Sequence, residues 1–307
     1  MLISLSSLLQ KAQKDRYAVG AFNVNNLETL QAVMDAAEKE KAPVIVQTSE
    51  GAIEYAGMEE LAALVHIAAK KSKRPVVFHL DHGKNADLVM EAIESGWYTS
   101  VMFDGSSLSF EENVAATKKI VARAHKKNIS VEAELGAIAG IEDFVNVKER
   151  DAHLTSPEQA ALFVKKTGCD ALAIAIGTRH GAFKYEHESQ LDFARLKKIA
   201  ERVSVPLVLH GASGVPAHIK TLCTKYGCEI ASAKGVSDAH IKKAVSLGIC
   251  KVNIDTDLRI AFDAGIRKFL HDKPDVIDPR EILNPAKELM TKVVRHKMKM
   301  FGCSNKG

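Results

Sequence analysis

Three histidines stand where imidazole chemistry would have a use. His82 follows the apolar run 76–80, His180 follows the run 171–176, and His210 ends the run 206–210. Neutral imidazoles from three separate segments, with a fourth position left open, form the donor set of a catalytic zinc ion. One histidine after an apolar run is usually just hydrogen-bonded; the trio carries the reading. His79 is a rival ligand, but it lies deeper in its run than His82 and reads as a core or supporting histidine. Of the 12 histidines, His66, His125, His218 and His296 fall in helical stretches and read as surface residues.

Carboxylates occur at similar places. Asp104 follows the run 100–103. Glu132 and Glu134 lie two apart in the run 130–134, so both point to one side of an extended chain. Asp104 and Glu134 can bind at a second metal position or orient the histidines; the plainer alternative is an ion pair with a nearby Lys or Arg. Asp81, next to His82, can exchange a proton with a substrate hydroxyl. Its plainer role is to cap the helix after Asp81-His82-Gly83. Gly211-Ala212-Ser213-Gly214 and the segment 253–256 (Asn253, Ile254, Asp255, Thr256) suit phosphate binding through backbone N–H groups and a helix N-terminus. Arg259 can grip a second phosphate bidentately, or make a surface salt bridge.

These residues need elements to hold them. Strand-like runs fall at 18–23, 44–48, 76–80, 100–103, 130–134, 171–176, 206–210 and 250–254. Most are continuously apolar, as expected of strands covered on both faces. Helical patterns lie between them, at 27–41, 59–71, 86–95, 110–126, 157–166, 192–201 and 236–247. Eight strands, each followed by a helix, predict an α/β fold of the TIM (β/α)8 barrel type, in one domain over 1–307 with a C-terminal helical extension. A doubly wound sheet would need a glycine-rich turn after an early strand, and none is present. Ser156-Pro157-Glu158 reads as a helix start, and Gly96, Gly168 and Gly248 as helix stops.

Barrel active sites sit at the C-terminal ends of the strands, and here nearly every strand ends on a polar residue. The first two runs lead to Asn23, then Gln47 and Ser49. The connections 135–155 and 177–190 are longer than barrel loops usually are and read as mobile lids. The segment 282–301 reads as a helix with a basic end, solvated or contacting a second subunit.

The bulk properties narrow the function class. The 307 residues are 46% hydrophobic and 26% charged, with a net charge of +4. Basic and acidic residues are interspersed, so no nucleic-acid stripe is present. No apolar run approaches a membrane span, and no leader with a basic n-region opens the chain. The five cysteines, Cys169, Cys223, Cys228, Cys250 and Cys303, lack CxxC spacing and fit a reducing cytoplasm. Cys223 and Cys228, near a predicted helix end, read as an inert pair.

The motifs Leu80-Asp81-His82-Gly83, Val131-Glu132-Ala133-Glu134-Leu135-Gly136, Ala175-Ile176-Gly177-Thr178-Arg179-His180-Gly181, Leu209-His210-Gly211-Ala212-Ser213-Gly214 and Val252-Asn253-Ile254-Asp255-Thr256-Asp257 resemble those of class II fructose-1,6-bisphosphate aldolases. The resemblance runs from Gly20-Ala21-Phe22-Asn23 to Phe301-Gly302 and is nearest to the bacterial subgroup that includes tagatose-1,6-bisphosphate aldolases. It implies reversible cleavage of a ketose bisphosphate to dihydroxyacetone phosphate and glyceraldehyde 3-phosphate, in glycolysis and gluconeogenesis, through a zinc-stabilised enediolate. It implies that His82, His180 and His210 hold Zn2+, with Asp104 and Glu134 as an alternate metal position. Asp81 would serve the C4 hydroxyl, and Glu142 would exchange the C3 proton after its loop moves in. Asn23, Ser49, Gly181, Gly211, Ser213, Asn253, Asp255, Thr256 and Arg259 would bind substrate. The resemblance also implies a monovalent cation, Na+ or K+, near Gly181 and Lys184, and a homodimer or homotetramer.

Three rivals remain at this stage. A Schiff-base aldolase needs a lysine inside the barrel, and no strand offers a convincing one. A tagatose-bisphosphate enzyme differs only at C4 of the sugar, and Arg259 favours fructose. A zinc-dependent barrel hydrolase usually carries paired histidines on the first strand, absent from Ala21-Phe22-Asn23-Val24.

Overall fold

The computed structural model describes residues 1–138, 140–142, 145–147, 153–181, 191–230 and 232–307, with backbone only over 140–142 and 145–147. Its strands are β1 (Val19–Asn23), β2 (Val44–Ser49), β3 (Val76–Gly83), β4 (Ser100–Phe103), β5 (Ser130–Leu135), β6 (Gly140–Glu142), β7 (Val145–Val147), β8 (Ala171–Ile174), β9 (Leu207–Leu209) and β10 (Ile249–Ile254). Its helices are α1 (Leu5–Asp15), α2 (Leu27–Glu40), α3 (Glu50–Ala56), α4 (Met58–Lys71), α5 (Ala86–Ser95), α6 (Phe110–His125), α7 (Pro157–Thr167), α8 (Phe193–Arg202), α9 (Ala217–Lys225), α10 (Asp238–Ser246), α11 (Thr256–Asp272) and α12 (Pro279–Phe301).

Eight strands close into a barrel in the order β1-β10-β9-β8-β5-β4-β3-β2. Every pairing in the barrel is parallel, and the helices cover its outside. This is the TIM (β/α)8 architecture predicted from the alternation of runs. Burial on both faces explains the unbroken apolar strands: β2, β3, β4 and β5 are buried at every residue. β6 and β7 form a separate antiparallel hairpin inside the long connection after β5. No described helix is long and apolar enough to cross a membrane.

The helical ranges read from the sequence leave out α1, α3, α9 and α11. α1 places Leu5, Leu8, Leu9 and Ala12 on one buried face, starts at the Ser4 cap and packs against β10 and β5. Ser156 caps α7 as expected, accepting from the Gln159 amide with Pro157 in the first turn.

α12 packs along α2 and α11; in its basic end Lys292 and Lys299 are exposed as expected, whereas Lys297 is buried. The Lys297 Nζ lies 3.0 Å from the buried Asp257 carboxylate at the start of α11. Charge neutralisation inside the fold, rather than solvent, accounts for that lysine.

Candidate active site

The strand ends bring the polar residues together. Successive residues of a regular strand face opposite sides, so Asp81 and His82 should point apart. They do not, because the β3–β4 register shifts between Leu80 and Gly83, and His82 takes a left-handed φ of 48°. The bulge turns both side chains toward the same buried cluster. A non-glycine residue in that conformation is strained, and such strain collects where a side chain must be aimed.

Asp81 is clamped by amides. Its Oδ1 accepts from Asn253 Nδ2 at 2.9 Å, and its Oδ2 accepts from Asn23 Nδ2 and Gln47 Nε2, each at 2.9 Å. Burial alone would raise its pKa; the His82 charge and then Lys251 outweigh that and hold it below the ordinary carboxylate value. Asp81 is therefore held in a fixed orientation, with its ionised form favoured.

The imidazoles of His82 and His210 meet directly, with His82 Nε2 and His210 Nδ1 2.8 Å apart. Each ring is oriented from behind by a carboxylate. His82 Nδ1 lies 3.2 Å from Asp104 Oδ2, and His210 Nε2 lies 2.8 Å from Glu132 Oε1. The His180 ring stands edge-on to His82, with centroids 5.2 Å apart. Burial opposes the charge on His82, but Asp81, Asp104 and Glu134 push its pKa up to about 10. Burial and the His82 charge push His210 down to about 4.

That arrangement fits a metal ion. Asp81, His82 and His210 bring donor atoms within 4.8 Å of one another, and so do His82, Asp104 and Glu134. Glu134 Oε2 is buried and forms no hydrogen bond, although it lies 3.5 Å from His210 Nδ1 and 3.8 Å from His82 Nδ1. Burial, then the like charge of Asp104, pushes the Glu134 carboxyl well above its ordinary value. A cation among these groups relieves each of those costs. Imidazole and carboxylate donors suit zinc.

Beneath the cluster lies a lysine that the sequence reading passed over. Lys251 on β10 is fully buried, with its Nζ 2.9 Å from Glu132 Oε2 and donating to Asn253 Oδ1 at 2.8 Å. The sequence offers no convincing Schiff-base lysine in the barrel, yet β10 does carry a fully buried one. Its ammonium is engaged by the very groups that orient His210 and Asn253, so it acts as a buried strut. The signal available in the sequence was its spacing: Lys251 and Asn253 are two apart in a strand and share a face. Gln47, at the end of its strand, also donates to Asn23 Oδ1 at 2.7 Å. His79 is a supporting residue, fully buried, with Nδ1 2.9 Å from Ser100 Oγ.

Gly211 and Ser213 lie in the buried loop after β9. Gly211 has φ +60°, and a Cβ there would sit 2.7 Å from the Arg179 carbonyl oxygen, so only glycine fits. The amides of Gly214 and Val215 donate to Asp257, at 3.0 and 2.7 Å. Asp257, held by Lys297, therefore fixes the shape of this loop. Asp255 precedes α11, and its carboxylate pairs with Arg259 at 2.8 Å; Thr256 opens the helix. Arg259, Asn23 and Asp255 line a cavity of about 330 Å³. Ser49 caps α3 through the Ala52 amide. Gly181 has a left-handed φ of 86°. The Glu142 backbone lies in β6, but its side chain and Lys184 lie outside the described residues, as does most of 177–190.

Comparison with known proteins adds to this geometry. The family described as "Fructose-bisphosphate aldolase class-II" matches residues 3–306. The chain is 48% identical to a fructose-bisphosphate aldolase of Thermus caldophilus over 98% of both chains. It is 43% identical to a fructose-bisphosphate aldolase of Helicobacter pylori over 100% of both. Among solved structures, it is similar to the YdjI aldolase of Escherichia coli K12, with TM-score 0.79 and 35% identity over 100% of this chain and 99% of that one.

Proposed function

Since the chain belongs to the class II fructose-bisphosphate aldolase family, we propose that it cleaves and forms fructose 1,6-bisphosphate at the mouth of the barrel, through an enediolate of dihydroxyacetone phosphate. The observation that carries this reading is the packed set of His82, His210, Asp104 and Glu134 beside an amide-clamped Asp81. His82, His180 and His210 would hold Zn2+, with Asp104 and Glu134 as an alternate position. When bound, the ion supplies Lewis-acid stabilisation of the oxyanion that develops beside a ketone.

The chain's own residues divide the remaining work. Asp81, ionised and immobilised, takes the C4 hydroxyl proton during cleavage and returns it during synthesis. Asn253 donates to Asp81 and reaches the enediolate. Glu142 exchanges the C3 proton from the connection after β5, and closure of that connection excludes water. Gly181, Gly211, Ser213, Asn253, Asp255 and Thr256 bind the triose phosphate, mainly through backbone N–H groups, because the Asp255 carboxylate is itself an anion paired with Arg259. Arg259 turns toward the C6 phosphate in the cavity it shares with Asn23, and Ser49 completes the substrate contacts. A monovalent cation, Na+ or K+, sits near Gly181. The working assembly is a homodimer or homotetramer.

Tagatose 1,6-bisphosphate is the second substrate to compare, because the subgroup resemblance includes enzymes for both sugars and they differ only at C4; Arg259 favours fructose. The test combines metal analysis with an assay of triose-phosphate release. Chelation should abolish release and added zinc should restore it. Turnover that survives chelation, or trapping of substrate on Lys251 by borohydride, overturns the proposal.

A further inference from the structure

Outside the barrel mouth, two cysteines and a carboxylate converge between α9 and α11. The chain brings the cysteines together by the way α9 ends. The Cys228 amide donates to the Cys223 carbonyl at 3.1 Å, and the Gly227 amide donates to that of Thr224 at 3.2 Å. Gly227 takes the left-handed conformation that this pair of bonds requires, at φ 89°. Such a Schellman ending folds the residue after the glycine back onto the last turns of the helix, so Cys228 lies against Cys223.

An apolar contact is the ordinary use of that geometry, and it accounts for the two cysteines. It does not account for Asp263. This residue reaches across from α11, and the Cys223 thiol donates to its Oδ2 at 3.1 Å. Arg267, one turn further along α11, holds the same carboxylate through Nε at 2.7 and 2.9 Å and donates from Nη1 to the Gly227 carbonyl at 3.1 Å. Two sulfurs and a carboxylate oxygen thus lie within 4.8 Å of one another. Cys223 is buried, whereas Cys228 and Asp263 are half-buried, which leaves one side open to solvent.

We propose that Cys223, Cys228 and Asp263 form a second metal site, for a soft divalent cation of the zinc and cadmium class. Sulfur donors select that class over magnesium or calcium. Tetrahedral zinc has M–S distances of about 2.3 Å, so the three donors need only small side-chain rotations to close around an ion, with water as the fourth ligand. Charge also balances: two thiolates and one carboxylate carry three negative charges, matched by the divalent ion and Arg267. Binding M2+ by two thiols forms two M–S bonds and releases two protons, with no change of oxidation state. A filled site would clip the end of α9 to α11. α9 follows the loop 211–215, and α11 carries Arg259.

The test is a cadmium titration of the reduced, full-length protein, read by thiolate-to-cadmium charge-transfer absorption. Histidine and carboxylate ligands give no such band, so the barrel-mouth site does not contribute to it. One cadmium per chain should saturate the band. It should persist in His82→Ala and be lost in Cys228→Ser, whose half-buried position tolerates the change. Asp263→Asn should weaken cadmium binding while keeping the band, with far-UV circular dichroism verifying the fold of each variant. No band in the wild-type protein, a band that survives Cys228→Ser, or thiol titration that finds only a disulfide under reducing conditions would overturn the site.

Discussion

Replacing Lys251 with methionine keeps the length of the side chain and removes its charge. In the native protein its ammonium lies 2.9 Å from Glu132 Oε2. At an effective dielectric of about 20, that contact is worth roughly 6 kcal/mol of Coulomb attraction before desolvation is subtracted. Breaking one side of a buried pair costs about 3–5 kcal/mol, because the remaining charge is left without a partner. At about 1.5 °C per kcal/mol for a chain of this size, Tm should fall by roughly 5–8 °C. Activity should fall for a different reason. Lys251 also fixes the Asn253 carbonyl oxygen, and so directs the Asn253 amide toward Asp81. Loss of such a supporting contact costs on the order of 10–100-fold in activity, mainly in kcat. The double variant Lys251→Met with Glu132→Gln separates the two effects. It removes the orphaned charge while leaving an oxygen for His210, so Tm should recover and kcat should not. Calorimetry and steady-state kinetics on the three proteins test this. A single variant with native Tm and native kcat refutes the strut assigned to Lys251.

Further outcomes follow from the loop and helix contacts. For Asp257, burial raises the pKa, but the Lys297 charge and the two loop amides lower it more, so the folded value is depressed. Its stabilisation is therefore complete above the unfolded value of about 3.9 and is lost as pH falls through the folded value. Asp257→Asn should cost about 3–5 kcal/mol at neutral pH and flatten the acid limb of a pH–Tm profile; a parallel profile would contradict the pairing. Gly211→Ala should sharply raise the KM for dihydroxyacetone phosphate in the condensation assay, because the added methyl meets the Arg179 backbone; an unchanged KM would mean that the loop yields. Arg259→Ala should raise KM for fructose 1,6-bisphosphate more than it affects binding of dihydroxyacetone phosphate, and equal effects on both would remove Arg259 from the C6 end.

The barrel is legible in the sequence because its strands are short, apolar and regularly spaced, and because one rule places chemistry at their C-terminal ends. That rule suffices to gather His82, His180, His210, Asp81, Asp104 and Glu134. It does not specify how neighbours such as Asp81 and His82 share a direction, which depends on the bulge between Leu80 and Gly83. Nor does it reveal Lys251 and Lys297. Buried lysines are rare, and what makes each tolerable is a carboxylate from a distant segment, Glu132 in one case and Asp257 in the other. Local pattern carries no trace of such pairings. The role of Glu142 came from the family resemblance alone.

The contact between Lys297 and Asp257 also bears on the order in which the protein becomes functional. All eight barrel strands precede α12 in the chain, so a ribosome can complete the barrel before the residue that neutralises Asp257 has been made. Until α12 docks, the carboxylate that shapes the loop 211–215 is a buried charge without its counter-ion, and the loop lacks its anchor. Anchoring of that loop therefore waits on a late-made helix, and a product that stops short of Lys297 should lose both the counter-ion of Asp257 and part of the core that Met298, Met300 and Phe301 fill.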